Sequence, residues 1–448
     1  MAPSPNPGGF TPPAPYPGSK DLGFVKKLSR NITSQIGSLP KAVYSSEAWK
    51  PPLPGMPLFI MAPDLVKTVL LDQADQFPHG ALFERIMRPA WGEGLLLAQG
   101  DDWKVQRRAA AQAFRAGGMA ALAPIFIAET ESLISGWADA GFGAIDLHEQ
   151  MKRLTFNIIV ETMLSGAGQF DRDAFREKVQ AFFDDISKLR LSYVFRGDAY
   201  HADRPSTPSQ HRAELIAHMS DLVEHRRAAP PRGDLIDLLL VAEDPEGQTP
   251  LSDKQIADNL LGFILAGYET TAAALTWTLY LISAHGETEA RLLSECRSAD
   301  AQEPQSLAFT QQVISEALRL YPPAFMLTRI AGQDTQLGVH RVKRGQRINI
   351  PIWAIHRNAE YWPDPHVFSP RRFAAERPEP ARYTYMPFGA GPRICIGAAF
   401  ALTEMRCILA TLLPRVKIIP PMRETVWPKT DLALVPHQKM VVEILPRG

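Results

Sequence analysis

One cysteine, Cys395, sits in the ten-residue run Phe388-Gly-Ala-Gly-Pro-Arg-Ile-Cys-Ile-Gly397. Glycines at 389, 391 and 397 permit backbone conformations closed to other residues and leave no side chain to hold a flat ligand off the main chain. The apolar segment 398–413 that follows reads as a helix, so Cys395 lies near a helix N-terminus, where amides and dipole stabilise a thiolate. Such a thiolate is a metal ligand or a nucleophile. A second group lies in Ala266-Gly-Tyr-Glu-Thr-Thr271, where Glu269 and Thr270 interrupt a run otherwise too apolar for an acid. Ser252 and Gln255 form a capping box ahead of it, and the pattern predicts one helix of roughly 30 residues, with its clearest stretch at 260–284. A threonine hydroxyl competing for the carbonyl four residues back would open this helix locally, with Ala266 and Gly267 leaving room beside the opening. Acidic and amide residues close to its ends, with no Lys/Arg cluster, fit the centre of a globular protein better than a bilayer span.

Glu316-Ala-Leu-Arg319 sets an acid and a base on one helix face, before the stop Tyr321-Pro322-Pro323. Its apolar surroundings argue for burial. Trp103 and Arg107 lie one helical turn apart, an indole N–H and a guanidinium suited to a shared anionic group.

With Phe388, Gly391, Cys395 and Gly397 at these spacings, the loop resembles the haem-thiolate loop of the cytochrome P450 superfamily, and the order of the other motifs extends the resemblance over nearly the whole chain. It implies a mainly α fold, a large helical domain with a small β-rich lobe, and haem b between the long central helix and the cysteine loop. Cys395 would be the axial ligand, Glu269 and Thr270 would direct protons to dioxygen, and Glu316, Arg319 and Arg372 would form a buried ionic triad. Trp103, Arg107, Arg329 and Arg393 match positions that contact haem propionates, and Phe388 and Gly397 shape the loop. Pocket residues carried over by position are Phe83, Ile86, Met87, Phe263, Ala266, Phe325, Met326 and Leu432, nearly all apolar. A terpenoid, aromatic or fatty-acid-like substrate follows.

The resemblance implies a monooxygenase, with a peroxide-driven peroxygenase or a non-catalytic haem sensor as alternatives. The sequence carries no flavin or iron-sulfur domain, so electrons would come from a separate ferredoxin and its NAD(P)H-dependent reductase, docking on a basic face that includes Lys104, Arg108 and Arg406.

Composition agrees with this reading. In 448 residues, 45% hydrophobic, Lys plus Arg balances Asp plus Glu at 48 each, so neither nucleic acid nor an anionic membrane is indicated as the main partner. Three cysteines favour a reducing compartment over a disulfide framework. Residues 1–20, rich in Pro, Gly and Ser, read as a mobile tail without signal peptide or membrane anchor, ahead of a single haem domain over 21–448. A soluble, monomeric, cytoplasmic enzyme is expected. Further expectations are a helix over 22–36, strands at 42–44, 58–61, 346–350 and 439–444, and a helix over 63–72. Loops are expected over 77–94 and 197–210, on opposite sides of the pocket.

Overall fold

The capping box closes as its sequence predicts. Ser252 N donates to Gln255 Oε1 (3.0 Å) and Gln255 N to Ser252 Oγ (3.2 Å), and the helix Asp253–Ser283 then runs unbroken for 31 residues. Two of its threonines keep buried hydroxyls satisfied within the helix: Thr276 Oγ1 donates to the Ala272 carbonyl and Thr278 Oγ1 to that of Ala274, both at 2.7 Å. The computed structural model describes residues 10–15, 35–52, 55–80, 83–84, 87–88, 91–114, 116–164, 171–183, 185, 210–231, 234–243, 250–421 and 425–447.

Contacts divide the chain into two compact units. The first comprises residues 1–77, 126–154 and 270–448, and the second residues 78–125 and 155–269. The central helix contributes to both, as does the helix Leu147–Leu164.

Among the described residues all the sheets lie in the first unit. A four-stranded sheet has the order β1 (Ala48–Trp49), β2 (Leu58–Ile60), β7 (Arg347–Ile350), β4 (Leu327–Ile330), in which β2 and β7 are parallel and the other pairs antiparallel. A three-stranded sheet places β11 (Val441–Pro446) between β3 (Gly143–Asp146) and β8 (Val416–Ile419). Two-stranded ladders join β5 (Thr335–Leu337) to β6 (His340–Val342) and β9 (Pro428–Thr430) to β10 (Leu434–Pro436). In the same unit the helices Gly286–Ser298, Ala308–Leu320 and Ala398–Leu412 pack on one another. Trp277 anchors the central helix here: its ring stacks on Tyr321 at 4.1 Å and its Nε1 donates to the Leu434 carbonyl (2.8 Å).

The second unit is helical. Its described helices include Gly100–Ala113, Gln210–Ala228 and Leu235–Leu240. Where the central helix begins, Asp258 and Asn259 are almost fully buried and hold the segment before helix Gly100–Ala113. Glu93 N donates to Asp258 Oδ2 (3.0 Å), Leu95 N to Asn259 Oδ1 (2.8 Å), and Asn259 Nδ2 to Gln106 Oε1 (2.9 Å).

Several sequence expectations are corrected. Residues 42–44 belong to a 3-10 turn, Lys41–Tyr44, because Pro40 starts a turn whose amides bond back three residues; the strand falls later, at Ala48–Trp49. The C-terminal strand begins at Val441, two residues late. The helix expected over 63–72 has those bounds, with Pro63–Lys67 α-helical and Thr68–Asp72 a π-helical continuation. Within 77–94, helical turns close through Glu84 N to Gly80 O and Gly92 N to Arg88 O, so the described part is not an open loop. Residues 10–15, inside the expected mobile tail, lie on the first unit: Phe368 N donates to the Phe10 carbonyl, Tyr321 OH donates to the Pro13 carbonyl (2.6 Å), and Ala14 is buried. The helix expected over 22–36 lies outside the described residues except at its end, where Gln35 precedes a 3-10 turn, and so does the loop over 197–210 except for Gln210.

Candidate active site

The loop before Cys395 is built on two left-handed glycines. Gly389 has φ +75° and Gly391 φ +74°. A Cβ on Gly391 would fall 1.9 Å from the Leu70 carbonyl oxygen, so only a residue without one lets the loop approach the 63–72 helix so closely. Gly389 N donates to Met386 O (3.0 Å) and Cys395 N to Phe388 O (2.9 Å), which turns the chain back on itself and leaves Cys395 exposed. Gly397 departs from the expectation. Its φ is an ordinary −84°, and it N-caps the helix Ala398–Leu412; a Cβ there would stand 4.0 Å from the Cys395 sulfur, an ordinary contact. The other cysteines are buried, and burial pushes their thiols up, to about 11 at Cys296 and about 12 at Cys407. An accessible sulfur at a helix N-terminus is a donor for a metal.

Arg329 and Arg393 belong to the same unit. Arg329 is 8% exposed on β4, opposite Ile348 of β7. Burial, and then the charge of Arg393, push its pKa down to about 10. Its Nη1 donates to the Thr328 carbonyl (2.9 Å), and no carboxylate among the described residues pairs with it. Two cations held near one another, one of them buried without a counter-charge, suit an anionic ligand. An exposed thiol and this cationic pair fit a planar metal-bearing cofactor with acidic substituents, as haem is.

The acid and base at 316 and 319 form a closed network. Arg319 Nε donates to Glu316 Oε2 (2.7 Å) and Nη2 to Oε1 (2.8 Å), while Arg372 Nε donates to Glu316 Oε1 (3.3 Å) and Ser369 N to the same oxygen (2.9 Å). Glu316 and Arg319 are fully buried. The remaining Arg319 donors reach the carbonyls of His356 (2.8 Å), Pro365 (2.7 Å) and Val367 (3.2 Å).

Along the otherwise buried central helix, Phe263, Ala266, Gly267 and Thr270 form an open row at helical spacing; Ala266 and Thr270 are exposed, and Glu269 is half-buried beside them. The helix is continuous through this row, so the expected local opening does not interrupt it. The room at Gly267 is filled by Ile159, whose Cδ1 would be 2.3 Å from a Cβ there. Phe263 meets Phe114 edge to face at 5.0 Å, and Phe83 stacks on His79 at 5.0 Å. Met87, Trp103 and Arg107 are half-buried in the second unit, the last two on one face of helix Gly100–Ala113; Ile86 lies outside the described residues. In the first unit Phe325 is buried, and Met326, Leu432 and Phe388 are half-buried.

Two side chains differ from the docking expectation. Lys104 pairs with Asp101 at 2.9 Å, and Arg406 spends its guanidinium on Gln311 Oε1 (2.7 Å) and the Pro304 carbonyl (3.3 Å). The polar contacts of Asp258, Asn259, Gln106 and His356 escape the sequence reading. A pair of polar residues opening an apolar helix was the available signal for the first two.

Among the described residues no helix is long and apolar enough to cross a membrane. The chain is 33% identical over 372 residues to "Cyclooctat-9-en-7-ol 5-monooxygenase" of Streptomyces melanosporofaciens, covering 80% of this chain and 79% of that one. It is 30% identical over 385 residues to "Cyclooctatin synthase" of the same organism, covering 83% of each. Its fold matches the crystal structure of the cytochrome P450DA heme domain with a TM-score of 0.79 over 90% of both chains, at 24% identity. The family model for cytochrome P450 matches residues 53–444. The chain therefore belongs to the cytochrome P450 family, with that family's fold, and is a cytochrome P450 monooxygenase.

Proposed function

We propose that this enzyme hydroxylates a cyclic terpenoid, inserting one oxygen atom from O2, with haem b ligated by Cys395 and electrons from a ferredoxin and its NAD(P)H-dependent reductase. The observation that carries the substrate class is the open row Phe263, Ala266, Gly267 and Thr270, apolar until its last member. Relatives named for cyclooctat-9-en-7-ol and cyclooctatin support the same class. A hydrocarbon skeleton gains from leaving water for such a surface, about 25 cal/mol per Å² of apolar area buried.

Bound haem, held through the Cys395 thiolate, would supply the reduction of O2, and thiolate ligation would favour cleavage of the O–O bond. The chain's own residues hold and supply what that chemistry needs. Cys395 presents its sulfur at the start of helix Ala398–Leu412, where the dipole favours the thiolate. Arg329 and Arg393, with Trp103 and Arg107, bind the propionates. Thr270 holds a proton at Oγ1, and the Glu269 carboxyl resupplies it. Phe83, Met87, Phe263, Phe325, Met326 and Leu432 exclude water and orient the substrate, with Ile86 assigned by sequence position. Glu316, Arg319 and Arg372 are structural. The enzyme works as a monomer in the cytoplasm, with Arg108 among the cations that meet the ferredoxin.

The test is turnover of cyclic terpenoid alcohols with a surrogate ferredoxin, its reductase, NADPH and O2. A product that gains one oxygen atom supports the reading. Equal turnover with hydrogen peroxide alone would make the protein a peroxygenase, and no turnover in either system, despite haem binding, would leave a binding protein.

A further inference from the structure

His356 is fully buried in the first unit, between the ionic network and the cysteine loop. Its ring is bonded at both nitrogens to backbone. Met386 N lies 2.9 Å from Nε2, and an amide can only donate, so Nε2 accepts. The proton therefore sits on Nδ1, which faces the Arg319 carbonyl at 3.1 Å. Arg319 returns the contact, since its Nη1 donates to the His356 carbonyl (2.8 Å). The ring also stacks on Tyr385 at 5.4 Å, and Tyr385 OH donates to the Ser315 carbonyl (2.9 Å). From Met386 the path reaches the loop directly: its carbonyl accepts from Gly389 N, the first left-handed glycine, and Phe388 O accepts from Cys395 N.

We propose that His356 is a positioning residue for the Cys395 thiolate, fixing the Met386 amide to the Arg319 network and so the start of the ligand loop. This rests on the reading of Cys395 as the haem ligand. The imidazole is suited to the task because it accepts from an amide and donates to a carbonyl across one rigid ring, leaving neither buried backbone group unpaired. A glutamine can do the same with its amide, and a phenylalanine cannot.

The experiment compares H356Q, H356F and, as control, H148F. His148 is half-buried in the first unit and bonded through Nδ1 to Thr276 Oγ1 (3.0 Å), and no hydrogen bond among the described residues links it to the loop. The reduced, CO-bound spectrum of the haem-loaded proteins reads thiolate against thiol ligation, and hydrogen exchange reads residues 386–397. H356F is expected to raise the thiol fraction and the exchange rate about tenfold, as loss of one buried hydrogen bond would; H356Q should stay near wild type, and H148F should lower only the melting temperature. A thiolate spectrum and native exchange in H356F, or equal changes in H148F, would overturn the proposal. Should H356F not fold, the wild-type Met386 amide decides: slow exchange is expected, and exchange at the rate of an exposed amide would overturn it. The wild-type spectrum tests the haem reading by itself, so the two failures are distinguishable.

Discussion

Replacing Glu316 by glutamine should destabilise the protein far more than its single-atom change suggests. The carboxylate accepts four hydrogen bonds, three at Oε1 from Arg319, Arg372 and Ser369, and one at Oε2 from Arg319 Nε. The better glutamine orientation keeps its oxygen toward the three donors and points its NH2 group at Arg319 Nε, donor against donor. Arg319, at 0% exposure, then loses its only carboxylate contact given by the structure, and Arg372, 15% exposed at its side chain, loses the same counter-charge. Breaking a buried pair from one side costs about 3–5 kcal/mol, against a total stability of about 5–15 kcal/mol. Glu316→Gln should therefore lower the urea midpoint by about a fifth or more, followed by circular dichroism. Arg371→Ala supplies the contrast. Its pair with Glu287 is 3.3 Å long but exposed at 71% and 77%, so its removal should cost less than about 1 kcal/mol. Equal midpoints for Glu316→Gln and wild type, or a loss at Arg371 as large as at Glu316, would refute the reasoning.

Alanine at Gly391 should abolish haem incorporation and lower the melting temperature sharply, because its Cβ meets the Leu70 carbonyl; at Gly389, where the nearest atom is Leu327 Cδ1 at 3.9 Å, only the backbone strain of about 1–2 kcal/mol applies. Similar melting temperatures for the two variants would contradict this. Burial holds His148 at about 4 and His356 at about 3, so between these values and about 6.5 the unfolded chain binds more protons than the folded one and stability must rise with pH. Acidification from pH 6.5 to 4 should cost about 3 kcal/mol through His148 alone, and His148→Gln should remove that share from the denaturation profile. Thr270→Ala should divert reducing equivalents to hydrogen peroxide, measured as peroxide formed per NADPH consumed. An unchanged ratio would remove Thr270 from proton delivery.

Much of the site was legible because its signals are local. The capping box, the long helix, the glycine-spaced cysteine and the acid-base pair each lie within a few residues, and their spacing specifies the geometry. What escaped depends on distant partners. Val43 and Tyr44 have strand propensity, but Pro40 sets a turn and burial of both side chains sustains it. The three glycines of the loop look alike in sequence, yet only 389 and 391 take positive φ, and the need at 391 is set by Leu70, more than three hundred residues earlier. His356 acquires its meaning from Arg319 and Met386, one on each side in the chain, and no periodicity marks it. Residues 10–15 show a proline-rich composition, while the carbonyls of Phe10 and Pro13 find donors on Phe368 and Tyr321.

The central claim, that Cys395 ligates haem as a thiolate, is most directly tested by the absorption spectrum of the purified protein reduced under carbon monoxide. The account predicts a Soret band strongly shifted to the red in the wild type and absent in Cys395→Ala. A folded wild-type protein with no haem band, or a red-shifted band that survives in Cys395→Ala, would contradict it.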